Sequence, residues 1–300
     1  MFKMMKKVSE SLAGRVGILS MFSLSNNELC ENEEKLFLPT FDYIKPRENN
    51  SRKDLHALYD SFITGSMPKM HLGLNIKPNT YYAEYIQTYL ERDIREIITI
   101  KDEVKFIKFI SSVAARTGQE LVYEELSKDN EIDNKTASNW LSLLVSSGLV
   151  YLLQPYYNNK LKTIIKRPKL HFMDIGLASY LTKWSDGKTL ETSMMSGAMF
   201  ETYVISEIVK SYVNNGEDPS HHLYYYRDNH GKEIDLLIVK DGTIHPIEIK
   251  KSMNPGRDSI KNFNVLEKTN LTIGAGGVIC MMEKVLPINK DNNFIPYHCI

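Results

Sequence analysis

The stretch HPIEIKKS, His245–Ser252, places two charged side chains on one face of an extended segment. Successive side chains of a strand point to opposite faces, so Glu248 and Lys250 share one face and Ile247 and Ile249 the other. One interpretation is a half-exposed strand whose polar face holds an ordinary Glu–Lys pair. The other is a metal-binding carboxylate followed by a catalytic lysine.

A second strand-like stretch, KEIDLLIV at residues 232–239, begins with carboxylates and becomes apolar on both faces, which is typical of an interior strand. Asp235 lies thirteen residues before Glu248, enough for a turn through KDGT and a return on the neighbouring strand. Asp235, Glu248 and Lys250 would then lie together, and two clustered carboxylates favour a hard divalent cation such as Mg²⁺ or Mn²⁺. The alternative is a strand whose first acids simply remain in solvent.

A helix predicted from Gly197 to Tyr212 carries a third carboxylate in an unusual position. At about 100° per residue its apolar side chains form one arc, and Glu201 lies in the middle of that arc. A carboxylate that faces a core is costly unless it is paired or binds a metal. Glu201 is therefore a candidate metal ligand, or an acid near the start of a helix that turns towards solvent.

These residues resemble the PD-(D/E)xK nuclease-like fold, in which an Asp and the Glu of an ExK tripeptide bind metal and the lysine assists hydrolysis. Asp235, Glu248 and Lys250 match those positions, and Glu201 matches the helix glutamate of some branches. The proline of the fold's name has no counterpart, because Ile234 precedes Asp235. The resemblance implies Asp235, Glu248, Lys250 and Glu201 as catalytic residues, with Asp235, Glu248 and Glu201 as ligands of Mg²⁺ or Mn²⁺.

Six stretches carry a wider resemblance: VSESLAGRV, YYAEYIQTYLERDI, RTGQELVYEELSKD, PKLHFMDIGLASYL, GAMFETYVISEI and YYYRDNHGKEIDLLI. From about Val8 to the C-terminus, the chain resembles a prokaryotic family of AAA-type ATP-binding proteins. In that family a P-loop ATPase module precedes a winged helix and a nuclease-like domain of unknown function.

One departure from the family concerns ATP. The sequence contains no GxxxxGK[ST] and no acidic Walker B strand before VSESLAGR, so the usual phosphate cradle and its lysine are missing. We therefore expect the rear part of such a protein: a fragment, a truncated gene product or a relative that lacks the ATPase. We do not expect this chain to hydrolyse ATP by itself, and it would use ATP only if an ATPase module is supplied elsewhere.

The central part of the chain predicts a winged helix-turn-helix. ELVYEELSK and NKTASNWLSLLVSS read as helices, and in the second of them one apolar stripe comprises Ala137, Trp140, Leu141, Leu144 and Val145. GLVYLLQPY and LKTIIKRPKLHF then read as the strands of a hairpin.

Nucleic acid is the partner that such a module suggests. Residues 155–172 carry basic side chains and no acid, as expected of a wing that contacts phosphates, whereas the exposed face of the second helix lacks base-reading arginines. A spacer or protein-docking role, for an ATPase module or a partner protein, is the alternative. The candidate nucleic-acid-binding residues are Lys160, Lys162, Lys166, Arg167, Lys169, Lys135 and Asn139.

The fold class predicted for the 300 residues is α/β in the broad sense, an α+β multidomain chain. It comprises a helical N-terminal part, the winged helix-turn-helix and a restriction-endonuclease-like αβββαβ domain. The predicted divisions are 1–70 for a remnant of the ATPase module, 71–118 for a helical linker, 119–185 for the winged helix and 190–300 for the nuclease-like domain.

Composition sets the remaining limits. The 37 basic and 37 acidic residues balance, so a binding surface for nucleic acid would be a local patch. The three scattered cysteines predict neither disulfides nor a zinc site, which favours a reducing cytoplasm, and no apolar run is long enough to predict a membrane partner. The sequence does not predict an oligomeric state.

Three functional hypotheses follow from these residues. The first is Mg²⁺-dependent hydrolysis of phosphodiesters in DNA or RNA by the nuclease-like domain. The second is a non-catalytic module that positions an ATPase on nucleic acid or protein. The third is a structural role, with the carboxylates in salt bridges to Lys250 or Lys232.

Overall fold

The computed structural model describes residues 19–89, 103–156, 167–228, 230–269 and 271–300. Helices dominate its N-terminal half and a mixed sheet dominates its C-terminal half, which confirms the predicted α+β class. None of the helices described in these ranges is long and apolar enough to cross a membrane.

The helices begin where the sequence offers capping residues. Asp54, Asp133, Asp174 and Asp186 each accept a hydrogen bond from a backbone N–H in the first turn of the helix that follows, which satisfies a donor that would otherwise lack a partner. The α-helices are α1 Asn26–Leu29, α2 Phe41–Arg47, α3 Leu55–Thr64, α4 Pro78–Tyr89, α5 Glu103–Ala114, α6 Tyr123–Asn130, α7 Asn134–Ser146, α8 Ile175–Leu181, α9 Gly187–Thr192 and α10 Ser196–Asn214.

The strands belong to one connected sheet in the order β1-β3-β2-β4-β5-β6-β8-β10-β9, with β7 paired to β6. They are β1 Gln119–Glu120, β2 Val150–Pro155, β3 Lys169–Phe172, β4 Leu223–Arg227, β5 Glu233–Lys240, β6 Thr243–Lys250, β7 Thr272–Ile273, β8 Gly276–Cys280, β9 Leu286–Pro287 and β10 Asn292–Pro296. Short 3₁₀ segments span Pro68–His71, Pro219–His221, Arg257–Lys268 and Tyr297–Cys299.

The C-terminal order that the sequence predicts is present with one change. Helix α10 is followed by three strands, a helical segment and two further main strands, but the segment Arg257–Lys268 is a 3₁₀ helix. Strand β8 runs parallel to both β6 and β10, whereas β5 runs antiparallel to β6. This arrangement places the start of β5 beside the end of β6, near the centre of the sheet.

The sheet also crosses the boundary that the sequence predicts between residues 185 and 190. Strand β2 pairs antiparallel with β3 and parallel with β4, where Gln154 faces Tyr224 and Pro155 faces Tyr225. The antiparallel pair of β2 and β3 is therefore continuous with the C-terminal sheet.

Helix α10 packs across this sheet and forms hydrogen bonds to the N-terminal segment at Leu24 and Asn26. Its side chains Phe200, Val204, Ile205 and Ile208 are fully buried in the main core. Further along α10, the buried Lys210 ammonium donates to the Leu24 carbonyl at 2.9 Å and to Glu207 at 2.9 Å.

Candidate metal and phosphate site

The pairing of β5 with β6 brings Asp235 next to Glu248. Leu236 faces Ile247 in the antiparallel register, and continuing that register by one residue places Asp235 opposite Glu248. The Ile249 N–H donates to Oδ2 of Asp235 at 2.8 Å, which fixes this carboxylate against β6. The sequence prediction that the two carboxylates meet on adjacent strands agrees with this geometry.

Lys250 completes the group on the same face. Its Nζ lies 2.7 Å from Oε2 of Glu248 and 3.2 Å from Oδ2 of Asp235. Burial lowers the pKa of Lys250, but the two carboxylates outweigh burial and raise that pKa above its usual range. The Lys250 side chain is 42% exposed, so its ammonium reaches solvent as well as the carboxylates.

Glu248 is the most constrained member of the group. It is 4% exposed, and its Oε1 is buried with no hydrogen-bond partner among the described residues. Burial first, and then the charge of Asp235, raise the pKa of Glu248 to about 8 even though Lys250 lowers it. A buried carboxylate oxygen without a partner is an expensive feature, which a bound proton or cation would relieve.

The other face of β6 explains the alternation in HPIEIKKS. Ile247 and Ile249 pack in the main core, whereas Glu248 and Lys250 point away from it. The ordinary interpretation of a half-exposed polar face does not fit Glu248, because its side chain is buried.

Glu201 reaches this region through a second lysine. Nζ of Lys169 on β3 lies 3.0 Å from Oε1 of Glu201 and 2.5 Å from Oε1 of Glu233. Burial raises the pKa of Glu201 to about 7, with Lys169 opposing burial and Asp235 adding to it. The ordinary interpretation of Glu201 as a solvent-facing acid is wrong, since its carboxylate forms an internal ion pair.

Lys169 occupies a different place from the one expected for a phosphate-contacting wing residue. It is 4% exposed, and its ammonium is directed at the carboxylates of Glu201 on α10 and Glu233 on β5. Burial lowers the pKa of Lys169, but Glu201, Asp235 and Glu233 together raise it above its usual range. The buried side chain of Lys169 is therefore not accessible for contact with nucleic acid.

The neighbouring residue on the same face of β3 is also buried. His171 is fully buried, and its Nδ1 lies 3.2 Å from Oγ1 of Thr202 on α10. Burial and then the charge of Lys169 lower the pKa of His171 to about 3, so this ring is neutral in neutral solution. The face of β3 that carries Lys169 and His171 thus packs against the turn of α10 that carries Glu201 and Thr202.

The remaining candidate nucleic-acid-binding residues are scattered over other elements. Lys135 and Asn139 are exposed on α7, and Arg167 is exposed just before β3. Lys160, Lys162 and Lys166 lie outside the described residues. In the apolar stripe of α7, Ala137, Trp140, Leu141 and Leu144 are buried as expected, whereas Val145 is 36% exposed.

Two residues of the cluster were not among the sequence candidates for a metal or catalytic role. Glu233 is held by Lys169 and lies 3.8 Å from Nη1 of Arg227, which pairs with Glu120 at 3.0 Å. The signal for Glu233 is its position two residues before Asp235. The role of Lys169 has no local signal, because its partners are 32 and 64 residues away along the chain.

The carboxylate oxygens available here suit an ion such as Mg²⁺, which keeps several water ligands, better than an ion whose ligands all come from the protein. Within the described ranges, no group of three or more His, Cys, Asp or Glu side chains is arranged to hold a metal. A Mg²⁺ ion commonly uses one or two carboxylates and keeps several waters. Asp235 and the unpartnered Oε1 of Glu248 supply such a pair.

Comparisons with known proteins divide the chain into two matched regions. Residues 55–188 match a family described as Domain of unknown function (DUF8612), and residues 196–300 match one described as Domain of unknown function (DUF4143). No solved structure matches this chain.

Two curated relatives are uncharacterized proteins, one of Mycobacterium bovis and one of Mycobacterium tuberculosis. Each is 28% identical over 248 residues, which cover 82% of this chain and 49% of the relative. The chain therefore spans about half the length of the curated relatives it matches. Asp235, Glu248 and Lys250 lie in the second matched region and Lys169 lies in the first, so the cluster combines residues from both.

Proposed function

We propose that the chain carries a divalent-cation-dependent site for hydrolysis of phosphodiester bonds in nucleic acid. The observation that carries this proposal is the buried, unpartnered Oε1 of Glu248 beside Asp235, with Lys250 bridging the two carboxylates. The run of α10, three strands, a helical segment and the parallel strands β8 and β10 supports the resemblance to the PD-(D/E)xK nuclease-like fold.

Asp235 and Glu248 would hold Mg²⁺ or Mn²⁺. When bound, the cation would lower the pKa of a water ligand and neutralise charge on the phosphate. Lys250 would use the exposed side of its ammonium to orient the attacking water or to hold a phosphate oxygen. The hydrogen bond from the Ile249 N–H keeps Asp235 in position for this role.

The central part of the chain would present the nucleic acid. Helices α5, α6 and α7 with the antiparallel order β1-β3-β2 support a winged helix-turn-helix, with exposed Lys135, Asn139 and Arg167 as phosphate or base contacts. As part of a protein similar to the AAA-type ATP-binding family, it would work with an ATPase module supplied elsewhere.

The direct test is titration calorimetry of Mg²⁺ and Mn²⁺, followed by cleavage of end-labelled DNA and RNA. Wild type is expected to bind metal and to cleave, whereas the Asp235→Asn, Glu248→Gln variant is expected to do neither. Glutamine reproduces the shape of protonated Glu248, so the variant is expected to fold.

The matched control is Asp258→Asn with Glu267→Gln, which repeats the Asp-to-Asn and Glu-to-Gln changes of the site variant. Both residues are exposed in the segment Arg257–Lys268. Loss of metal binding in this control, or unchanged binding in the site variant, would contradict the proposal.

The second candidate is a non-catalytic module that positions an ATPase on nucleic acid or protein. Lys169 and Lys250 favour it, because two ammonium groups already compensate part of the carboxylate charge without a metal. Nucleic-acid binding that persists in the site variant and weakens in Lys135→Gln, with no cleavage by wild type, would support this candidate.

A further inference from the structure

The cluster that contains the proposed metal site is larger than the nuclease-like resemblance requires. Its carboxylates divide into a pair held by Lys250 and a pair held by Lys169. The first pair is Asp235 with Glu248, and the second pair is Glu201 with Glu233.

The two lysines differ in exposure. Lys250 is 42% exposed at its side chain, whereas the Lys169 side chain is 5% exposed. Burying an ion pair costs desolvation free energy, which close opposite charges must offset. The Lys169 ammonium has a carboxylate on each side, at 3.0 and 2.5 Å. The 5.5 Å approach of Nζ to the ring of Tyr225 adds a further favourable contact for the ammonium.

The charges of the cluster leave room for one divalent cation. When all four carboxyl groups are ionised, as they would be once a cation has displaced the proton of Glu248, the four carboxylates and two ammonium groups leave two negative charges. Arg227 and Glu120 form a neutral pair at the edge. One Mg²⁺ or Mn²⁺ ion would neutralise that excess, whereas two ions would leave two surplus positive charges in a largely buried region.

Within the described part of the chain, one oxygen of the four carboxylates is both buried and without a hydrogen-bond partner. This atom is Oε1 of Glu248, a residue that is 4% exposed, and it lies on the Lys250 side of the cluster. On the other side, Lys169 already occupies Oε1 of both Glu201 and Glu233.

We propose that Lys169 is the resident cation of the Glu201–Glu233 pair, so that the site takes one divalent cation, between Asp235 and Glu248. This inference rests on the proposed function and makes Glu201 a positioning residue rather than a metal ligand. It also makes a residue of the region matching DUF8612 part of the charge balance in the region matching DUF4143.

The test is the stoichiometry of Mn²⁺ binding to the whole chain, measured by calorimetry and by electron paramagnetic resonance. Wild type is expected to bind one ion and to show the spectrum of isolated Mn²⁺. Two ions per chain that both depend on Asp235, or an exchange-coupled spectrum, would overturn the inference and leave the proposed function standing. No binding by wild type would overturn both.

Variants of Lys169 test its charge directly. Lys169→Met removes one positive charge and is expected to tighten Mn²⁺ binding about tenfold or more, or to admit a second ion. Lys169→Arg keeps the charge and is expected to retain one ion with little change in affinity. Equal affinity and stoichiometry in Lys169→Met and wild type would overturn the inference.

Glu201→Gln keeps the test decisive if Lys169→Met does not fold. The neutral amide can still accept a hydrogen bond from Lys169, and the surplus positive charge is expected to weaken Mn²⁺ binding several-fold without changing the stoichiometry of one. If Glu201→Gln lowers the stoichiometry from two ions to one, then Glu201 is a ligand and the inference is wrong.

Discussion

At the scale of single residues, the environment of Glu248 sets a dependence of stability on pH. Folding raises the pKa of Glu248 from 4.5 to about 8, so the folded chain binds more protons than the unfolded chain between these values. The stabilising contribution of protonated Glu248 is therefore lost as pH rises from about 5 to 8, by up to about 4 kcal/mol.

We expect the free energy of unfolding in urea, measured with EDTA present, to fall over this range in wild type. The fall should be smaller in Glu248→Gln, with Glu201 accounting for part of the remainder because its pKa is also raised, to about 7. Glu267→Gln, an exposed control, should follow wild type. An identical pH slope in Glu248→Gln and wild type would show that the site does not hold this proton.

The same carboxyl couples metal binding to proton release. A cation between Asp235 and Glu248 would have to displace the proton that Glu248 holds at pH 7. Mn²⁺ affinity should rise with pH and level off above about 8, and the binding heat at pH 7 should vary with the ionisation heat of the buffer. A binding heat that is the same in all buffers would argue against Glu248 as the ligand.

At the scale of secondary structure elements, local patterns predicted much of this site. The alternation in residues 232–239 and 245–250 predicts two adjacent strands, and the strand period then places Asp235, Glu248 and Lys250 together. The apolar arc of α10 predicts that Glu201 faces inward, as its ion pair with Lys169 shows. Both predictions depend only on the helical and strand repeats.

The partner of Glu201 could not be predicted in the same way. Lys169 follows Arg167 in a basic stretch that reads as an exposed wing, but its side chain lies against Glu201 of α10. Its strand β3 joins the C-terminal sheet through β2, which pairs with β4. That pairing joins residues about 70 positions apart, and neither strand carries a local signal for its neighbour. Sequence periodicity defines faces of elements, whereas contacts between faces depend on topology.

The β2–β4 junction also predicts how a C-terminal fragment behaves. Residues 190–300 alone would expose the edge of β4, and Glu201 and Glu233 would lose the ammonium of Lys169. We expect this fragment to aggregate or to unfold at a lower temperature than residues 19–300, as judged by size-exclusion chromatography and circular dichroism. A monomeric fragment with the melting temperature of the longer chain would show that the junction contributes little to stability.

At the scale of the whole molecule, a buried ion pair on α10 attaches the N-terminal segment to the C-terminal sheet. Lys210 and Glu207 are 2% and 6% exposed, and they lie 2.9 Å apart. Lys210 also donates to the Leu24 carbonyl at 2.9 Å, and Glu207 accepts from the Asn26 N–H at 2.6 Å. The pair therefore connects parts of the chain that are more than 180 residues apart.

Removing one charge of this pair should lower the free energy of unfolding more than removing both charges. Lys210→Met leaves the Glu207 carboxylate buried without its cation, and we expect a loss of about 3–5 kcal/mol in the free energy of unfolding. Adding Glu207→Gln removes that charge while an amide oxygen can still accept from Asn26, so the double variant should be more stable than Lys210→Met alone. Urea unfolding measures both, with the exposed Lys261→Met as the control for the side-chain change. If the double variant loses the sum of the two single losses, the two charges do not act as a pair, and the N-terminal segment is held by its backbone and apolar contacts instead.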